Sequence, residues 1–246
     1  MLHPELQRYK EVSNNPSWKL LYKLKWAQLA DMIELKSLKI LDFGSGGGTT
    51  ANYLAKDNEV TAIEPREDMI QDRERENNYT QIQGNFEKLK NFDDGSFDVI
   101  ICHNVLEFAS ESDERVEIVK EFSRLLKSGG ILSIIKNNGN GAGRIMQKAV
   151  LFNDIDEAMN LLEGGYISNV FGKVVLYDPG DLVKWGGNFE IEKILGVQTF
   201  YGLQQNVDIQ YEPDWINKMF GIEMKVADIE PYKSIALFHH VLLRKL

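Results

Sequence analysis

The chain has 246 residues, 43% of them apolar, which fits one globular α/β domain over 1–246 with an insertion better than two domains. Its net charge of −9 argues against a broad, salt-dependent nucleic acid interface, so no DNA partner is expected. The single cysteine, Cys102, excludes an internal disulfide framework and a multi-cysteine zinc site. No stretch approaches the roughly 18 apolar residues of a membrane span, and we expect a cytoplasmic protein.

The predicted elements alternate between helices and short apolar strands. A helix at 11–34, which carries Lys19, precedes strands at 38–43, 59–63, 79–83, 97–102 and 131–136. Helices are predicted between these strands at 49–56, 66–77 and 112–126. This alternation is typical of parallel strands joined by crossover helices that cover both faces of a sheet.

The alternation ends after Lys136. Residues 137–143 contain three glycines and three asparagines and are predicted to form a loop, followed by a helix at 144–162. A short helix at 180–185 and strands at 190–199 and 235–244 complete the chain. Because 138–178 follows the carboxyl end of a strand, where open α/β sheets bind ligands, we predict that it forms a lid over a substrate. Residues 1–37 are predicted to add a helical cap.

A glycine-rich segment, Asp42-Phe43-Gly44-Ser45-Gly46-Gly47-Gly48, follows the first predicted strand. Glycine lacks a Cβ and tolerates positive φ, so this turn can be tight and can direct its N–H groups at a ligand. A carboxylate at the strand end would repel a pyrophosphate, and Asp42 therefore suits a ligand with a positive group. Glu64 lies twenty residues after Gly44, an offset at which a carboxylate can accept both hydroxyls of a ribose.

Two further segments lie at the ends of later strands. In Gln83-Gly84-Asn85-Phe86, an amide side chain can hydrogen-bond an adenine edge and an aromatic ring can cover its face. His103 and Asn104 follow the fourth strand, which places them at the same edge of the sheet. The sequence therefore predicts a ligand that contains a nucleoside.

Over 39–136 these motifs resemble, in order and spacing, the class I S-adenosylmethionine-dependent methyltransferases. The resemblance implies an α/β, Rossmann-like sheet of seven mostly parallel strands, the last one antiparallel, with helices on both faces and a helical cap insertion. It implies that the amino acid part of S-adenosylmethionine binds Asp42, Gly44, Gly46 and Gly48. The ribose is expected at Glu64 and the adenine at Asn85 and Phe86. Further cofactor contacts are expected from Lys19, Ser45, Pro65, His103 and Asn104.

A narrower resemblance is to the bacterial tRNA methyltransferases that esterify 5-carboxymethoxyuridine at the wobble position. It is carried by 103–108, by the loop around Asn138, and by 230–232 before a final strand. It implies a tRNA acceptor, a cofactor contact by His103, and Asn138 and Arg144 as substrate candidates. That family's insertion carries a cluster of lysines and arginines, whereas 164–178 here contains only Lys173, which argues against contacts with RNA phosphates.

Methyl transfer from a sulfonium depends mainly on alignment of the acceptor and exclusion of water. A carboxylate acceptor needs no general base, whereas a nitrogen or hydroxyl acceptor usually does. The candidates for such a base are His103, Glu107, Tyr166 and Tyr201. His239 and His240 point to opposite faces of a predicted strand, so no metal site is predicted.

Two other functions fit part of the sequence. Gly46-x-Gly48-x-x-Ala51 with Glu64 also matches a dinucleotide fingerprint, which would indicate an NAD-dependent oxidoreductase, although Asp42 argues against it. A non-catalytic S-adenosylmethionine-binding protein would keep the same fold. The acceptor stays open between a small molecule and a tRNA nucleoside, and the sequence predicts no oligomeric state.

Overall fold

The computed structural model describes residues 7, 11, 13–109, 112–139, 141–169 and 172–246. Its strands are β1 (Lys39–Phe43), β2 (Glu59–Glu64), β3 (Thr80–Gln83), β4 (Phe97–His103), β5 (Leu126–Asn137), β6 (Ile167–Asn169), β7 (Gly172–Val174), β8 (Phe189–Val197) and β9 (Phe238–Lys245). Across these described ranges, seven strands form one sheet in the order β3-β2-β1-β4-β5-β9-β8, and β6 pairs with β7 as a separate hairpin.

The main sheet is parallel except where the last strand enters it. Strands β1 to β5 pair in parallel, whereas β9 is antiparallel to both β5 and β8. The predicted mostly parallel sheet with an antiparallel last strand is therefore confirmed. The order reverses between β1 and β4, and a crevice forms at such a switch point beside the carboxyl ends of the strands.

Helices lie on both faces of the sheet. They are α1 (Pro16–Ala30), α2 (Thr49–Leu54), α3 (Glu67–Gln71), α4 (Ser112–Leu125), α5 (Ala142–Met146), α6 (Ile155–Leu162), α7 (Pro179–Lys184), α8 (Trp215–Val226) and α9 (Tyr232–Ile235). Alternate residues of β1 point to opposite faces: Leu41 and Phe43 belong to one buried cluster with Phe122 of α4, and Ile40 belongs to another with Leu29 of α1. Both faces are thus covered, as the alternation of elements predicts.

Two predicted helices differ from the structure. The helix predicted at 66–77 is only α3, because the chain after Asp72 turns back to the glycine-rich loop: the Glu74 N–H donates to the Gly47 carbonyl, and the Glu74 carboxylate accepts from Thr49. The helix predicted at 144–162 is interrupted, because a π-helical segment at 147–151 ends it and Asp154 caps a new helix by accepting the Glu157 N–H.

Smaller differences occur at the two ends of the chain. The predicted helix at 11–34 is described as α1, which ends at Ala30, and most of 1–12 lies outside the described residues. The strand predicted at 235–244 begins at Phe238, because 232–235 is helical. Buried leucines on α1, including Leu20 and Leu24, pack against Trp215 of α8 and fix α1 beside the carboxyl ends of the strands.

Candidate active site

The glycine-rich loop folds tightly over the ends of β1 and β2. Gly44, Gly46 and Gly48 have φ values of 78°, 54° and 75°, which side chains with a Cβ rarely adopt. The N–H groups of Gly44 and Ser45 both donate to the Ile63 carbonyl, at 2.9 and 3.0 Å. A Cβ at Gly44 would collide with the Val105 side chain, so only glycine allows the turn after β4 to approach this closely.

The carboxylate of Asp42 is buried and is not fully hydrogen-bonded within the described part of the chain. Its side chain is 3% exposed, and its Oδ2 atom has no hydrogen-bond partner among the residues described. Burial raises the pKa of Asp42 to about 7, an effect that the nearby ammonium of Lys25 opposes. A buried carboxylate with a free oxygen is costly by itself and indicates a place for a positively charged ligand group.

Lys25 of α1 faces Asp42 from the other side of the site. Its side chain is 4% exposed, and its ammonium lies 4.0 Å from the centre of the Tyr22 ring. Burial lowers the pKa of Lys25 to about 8, and the charge of Asp42 opposes that shift. Lys19, which was predicted to contact the cofactor, is exposed. Helical periodicity did not reveal which lysine of α1 faces the sheet.

Glu64, at the end of β2, holds the glycine-rich loop in place. Its Oε2 accepts the Gly46 N–H at 2.8 Å, and its Oε1 accepts the Arg66 N–H at 3.0 Å. Burial raises the pKa of Glu64, while the two backbone donors oppose the shift. Each carboxylate oxygen keeps a second lone pair, so Glu64 can still accept hydrogen bonds from a ligand.

The segment after β3 lies beside Glu64. Asn85 is exposed, and its side chain accepts the Glu87 N–H at 3.2 Å, which caps a 3₁₀ helix at Phe86–Asn91. Phe86 is partly buried against the core. Pro65 is exposed, and its carbonyl accepts from the Gln83 side chain at 3.5 Å. The structure thus brings the residues predicted for a nucleoside to one edge of the sheet.

His103 belongs to a hydrogen-bonded chain that links the sheet to α1. His240 Nδ1 donates to Gln28 Oε1 at 2.8 Å, so its Nε2 must accept from the Ser133 hydroxyl at 2.7 Å. Ser133 then accepts from His103 Nε2 at 2.9 Å, which leaves His103 Nδ1 as an unpartnered acceptor within the described chain. Burial, followed by the charge of Lys25, holds the pKa of His103 well below its ordinary value, so the ring is neutral.

Glu107 is buried in the turn that follows β4. Asn104 has a φ of 57°, and its N–H donates to the Ile135 carbonyl at 2.7 Å, which bends the chain so that Val105 lies over Gly44. Glu107 is 1% exposed and accepts a hydrogen bond from Asn137 Nδ2. Burial raises the pKa of Glu107, while the side chains of Asn137 and Asn104 lower it.

Asn137 connects Glu107 to two cations. Arg144 Nη2 donates to Asn137 Oδ1 at 3.0 Å, and the fully buried Lys136 ammonium donates to the Asn137 carbonyl at 2.6 Å. The Lys136 ammonium also lies 4.5 Å from the centre of the ring of Tyr177, a buried residue. Lys136, Asn137 and Tyr177 were not predicted from the sequence, although Lys136 ends the strand predicted at 131–136 and Asn137 follows it directly, which is the signal that could have found them.

The remaining candidates are distributed more widely. Asn138 donates to the Ser234 and Ala236 carbonyls at 2.8 and 3.0 Å and so anchors the start of the insertion. Tyr166 is exposed, with the Lys173 ammonium 4.2 Å from its ring centre. Tyr201 is buried in the cluster that contains Trp215. These three residues are therefore not gathered around Glu107 as Asn137 and Arg144 are.

Two sequence comparisons match methyltransferases. Residues 41–134, from β1 to β5, match the family model described as a methyltransferase domain. The ubiquinone biosynthesis O-methyltransferase of Coxiella burnetii is 24% identical over 229 residues, which cover 84% of this chain and 92% of that protein.

Solved structures show the same fold. A methyltransferase dependent on S-adenosylmethionine from Methanosarcina mazei is 19% identical, with a TM-score of 0.55, over 86% of this chain and 93% of its own. One from Mesorhizobium loti is 14% identical, with a TM-score of 0.53, over 95% and 99% of the two chains.

Proposed function

We propose that the chain is a class I S-adenosylmethionine-dependent methyltransferase, and we assign the residues that hold the methyl donor and the region where the acceptor binds. The observation that carries the proposal is the buried carboxylate of Asp42 with its free Oδ2, opposite the buried ammonium of Lys25. An amino acid tail carries an ammonium and a carboxylate side by side. Asp42 is suited to the first of these groups and Lys25 to the second.

The same charges argue against the oxidoreductase alternative. A nicotinamide dinucleotide would bring a pyrophosphate to the N-terminus of α2, next to the Asp42 carboxylate, and the two negative charges would repel each other. No comparison favours that alternative. Ser45, whose buried Oγ lacks a hydrogen-bond partner within the described part of the chain, offers a further polar group to the donor's tail.

We assign the nucleoside half of the donor to the neighbouring strand ends. Glu64 keeps lone pairs for the two ribose hydroxyls after it has accepted the Gly46 and Arg66 N–H groups. We assign Asn85 to the edge of the adenine and Phe86 to its face, with Pro65 as a further contact. The tail, the ribose and the adenine are thus assigned to the ends of β1, β2 and β3, which are neighbours in the sheet in that order.

The acceptor is assigned to the space between the turn at 104–107 and the insertion. When bound, S-adenosylmethionine supplies an electrophilic methyl group, so the protein's task is to orient the acceptor and to exclude water. The two ends of 138–178 meet, because a Cβ at Gly139 would lie 2.7 Å from the Tyr177 carbonyl. The Val175 N–H donates to the Glu107 carbonyl at 2.8 Å, which supports a role for this segment as a lid, and we propose that α1 forms a cap.

We propose a small molecule as the acceptor. The Coxiella burnetii relative is named as an O-methyltransferase of ubiquinone biosynthesis, which supports a small acceptor with a hydroxyl group. A tRNA acceptor gains less support, because the protein has a net charge of −9 and Lys173, the lysine of 164–178, lies against the Tyr166 ring. No helix in the described ranges has the length and apolar character needed to cross a membrane, and a cytoplasmic location stays a prediction.

Isothermal titration with S-adenosylhomocysteine tests the donor site. We expect one binding site per chain, and we expect Glu64→Gln to weaken binding by roughly 10- to 30-fold, equivalent to about 1.5–2 kcal/mol of lost hydrogen bonding. Glu59→Gln, at the exposed start of the same strand, should leave the affinity unchanged. Absence of binding at millimolar ligand by folded protein would contradict the donor site, and an unaffected Glu64→Gln variant would contradict the ribose assignment.

A further inference from the structure

We infer that the methyl acceptor is a phenol-like hydroxyl and that Glu107 accepts its proton while Lys136 and Arg144 stabilise the oxygen anion that remains. This inference rests on the proposed function, because it assumes that the methyl donor binds in the glycine-rich loop. It adds the chemical class of the acceptor and a catalytic base for it.

The first observation is that three charged side chains converge on Asn137. Its amide nitrogen donates to Glu107 Oε1, its amide oxygen accepts from Arg144 Nη2 at 3.0 Å, and its carbonyl accepts from Lys136 Nζ at 2.6 Å. Arg144 is further fixed by a 2.6 Å hydrogen bond from Nη1 to Gln147 Oε1. One anion and two cations are therefore held at fixed positions around a single residue, and Lys136 also lies near the negative charges of Asp178 and Asp181. An anionic ligand oxygen next to Lys136 and Arg144 would be stabilised by these two cations.

The second observation is that this cluster contains buried polar atoms without partners. Within the described part of the chain, hydrogen-bond partners are lacking for Glu107 Oε2, Tyr177 Oη and Arg144 Nε. Glu107 and Tyr177 are 1% and 6% exposed. Buried polar atoms are nearly always hydrogen-bonded in folded proteins, so several free ones together indicate the place of a polar ligand. Glu107 Oε2 can accept a proton, and the other two groups can donate hydrogen bonds to an oxygen.

The third observation is the position of this cluster relative to the donor site. Val105 lies directly against Gly44, and Glu107 follows Val105 by two residues in a 3₁₀ turn. Glu107 is therefore one turn away from the loop that we assign to the tail of the methyl donor. On the opposite side, the Val175 N–H donates to the Glu107 carbonyl, so the insertion covers the cluster. An acceptor bound here would be close to the donor and shielded from water.

The charges around Glu107 distinguish between classes of acceptor. The ionisable groups that interact with Glu107 are Lys136 from β5, Arg144 from α5, Tyr177 from the insertion and Cys102 from β4. A cationic amine would be repelled by the two cations, and a carboxylate acceptor, which needs no general base, would leave the free oxygen of Glu107 without a role. A neutral hydroxyl avoids both repulsions. Once its proton moves to Glu107, the negative charge lies on the oxygen that faces Lys136 and Arg144.

The proposed step balances in atoms and charge. The O–H bond of the acceptor breaks and its proton passes to Glu107 Oε2, where burial already raises the pKa of the carboxyl group and brings it closer to that of a phenol. The acceptor oxygen forms a bond to the methyl carbon as the S–CH₃ bond breaks, and the sulfur keeps the electron pair. The proton on Glu107 returns to solvent after the methyl ether leaves.

The test compares two phenols of different acidity as probes. Transfer of tritiated methyl from S-adenosylmethionine to catechol and to 4-nitrocatechol is measured in wild type and Glu107→Gln, at a pH near 8, where the nitro compound ionises without help. We expect Glu107→Gln to lower kcat with catechol by about 10²- to 10⁴-fold and with 4-nitrocatechol by about tenfold or less. The acid limb of the catechol pH profile should disappear, and Glu107→Asp should restore it.

Glu223→Gln is the matched control, because Glu223 is also 1% exposed but hydrogen-bonds the backbone of 199–201 away from the Asn137 cluster. The Glu223→Gln variant should keep the acid limb of the catechol pH profile, whether or not it lowers the thermal stability. Equal losses with both phenols, or no transfer to either phenol by a wild type that binds S-adenosylhomocysteine, would overturn the inference alone. Failure of S-adenosylhomocysteine to bind would overturn the proposed function, and the inference with it.

Discussion

Asp42 and Lys25 form the most informative pair of residues in the donor site. Burial raises the pKa of Asp42 to about 7 and lowers the pKa of Lys25 to about 8, so in each case burial disfavours the charged form. For Asp42 the folded state binds a proton more tightly than the unfolded state does, so its contribution to stability is present at low pH and is lost as the pH rises towards 7. A ligand that carries both an ammonium and a carboxylate would offset the cost of burying these two side chains in their charged forms.

The pH dependence of donor binding tests this pair. The affinity for S-adenosylhomocysteine should rise about tenfold per pH unit as the pH increases towards 7, because the ligand's ammonium needs an ionised Asp42. It should fall again above about 8 as Lys25 loses its proton. Asp42→Asn should remove the acid limb and weaken binding at neutral pH by at least about tenfold. Calorimetry at several pH values measures both effects, and a flat profile for the wild type would exclude Asp42 as the ammonium site.

Part of the site was predictable at the residue scale. Asp42, Glu64 and the glycines follow strand ends at fixed spacing, so the sequence located them without tertiary information. Lys25 was not predictable, because the packing of Leu20 and Leu24 decides which lysine of α1 faces the sheet. The Asn137 cluster likewise depends on how the insertion folds back, since Tyr177 is forty residues away in sequence.

At the scale of elements, apolar runs bounded by turn residues located β1, β2 and β4 almost to the residue, whereas β5 begins at Leu126 rather than 131 and β9 begins at Phe238 rather than 235. β1 and β2 differ from their predicted bounds by one residue at one end, and β4 differs by one residue at its carboxyl end. Helices were less predictable where tertiary hydrogen bonds compete with them. Glu74 binds Thr49 and Asn52 rather than continuing α3, and Asp154 starts a new helix inside the insertion.

The close packing of α5 against 235–236 gives a prediction at the scale of elements. A Cβ at Gly143 would lie 2.6 Å from the Ala236 carbonyl oxygen and would also collide with the Ile235 carbonyl, so Gly143→Ala must shift α5 and with it Arg144. We expect a loss of roughly 1–3 kcal/mol in the free energy of unfolding, with little change in the affinity for S-adenosylhomocysteine. Chemical denaturation measures the loss.

Gly180→Ala is the control for that substitution. Gly180 lies in α7 and has ordinary φ, and a Cβ added there would meet no atom within 4 Å, so alanine should be neutral or slightly stabilising. If Gly143→Ala were as stable as Gly180→Ala, then the close contact between α5 and 235–236 would not hold the insertion in place.

At the scale of the whole molecule, three separate parts of the chain meet at one edge of the sheet. The glycine-rich loop follows β1, α1 packs through Leu20 and Leu24 against Ile135 of β5 and Trp215 of α8, and the insertion returns to the turn at 104–107. The order reversal between β1 and β4 opens the crevice at this edge. The sheet therefore brings the donor site and the proposed acceptor site together, although their residues are spread over most of the chain.

A crystal structure with S-adenosylhomocysteine would locate every part of the donor directly. We expect ribose hydroxyls within about 3.2 Å of Glu64, the amino group beside Asp42, the carboxylate near Lys25 and the sulfur facing Glu107. A ligand whose amino group lies away from Asp42, or whose ribose does not contact Glu64, would contradict these assignments.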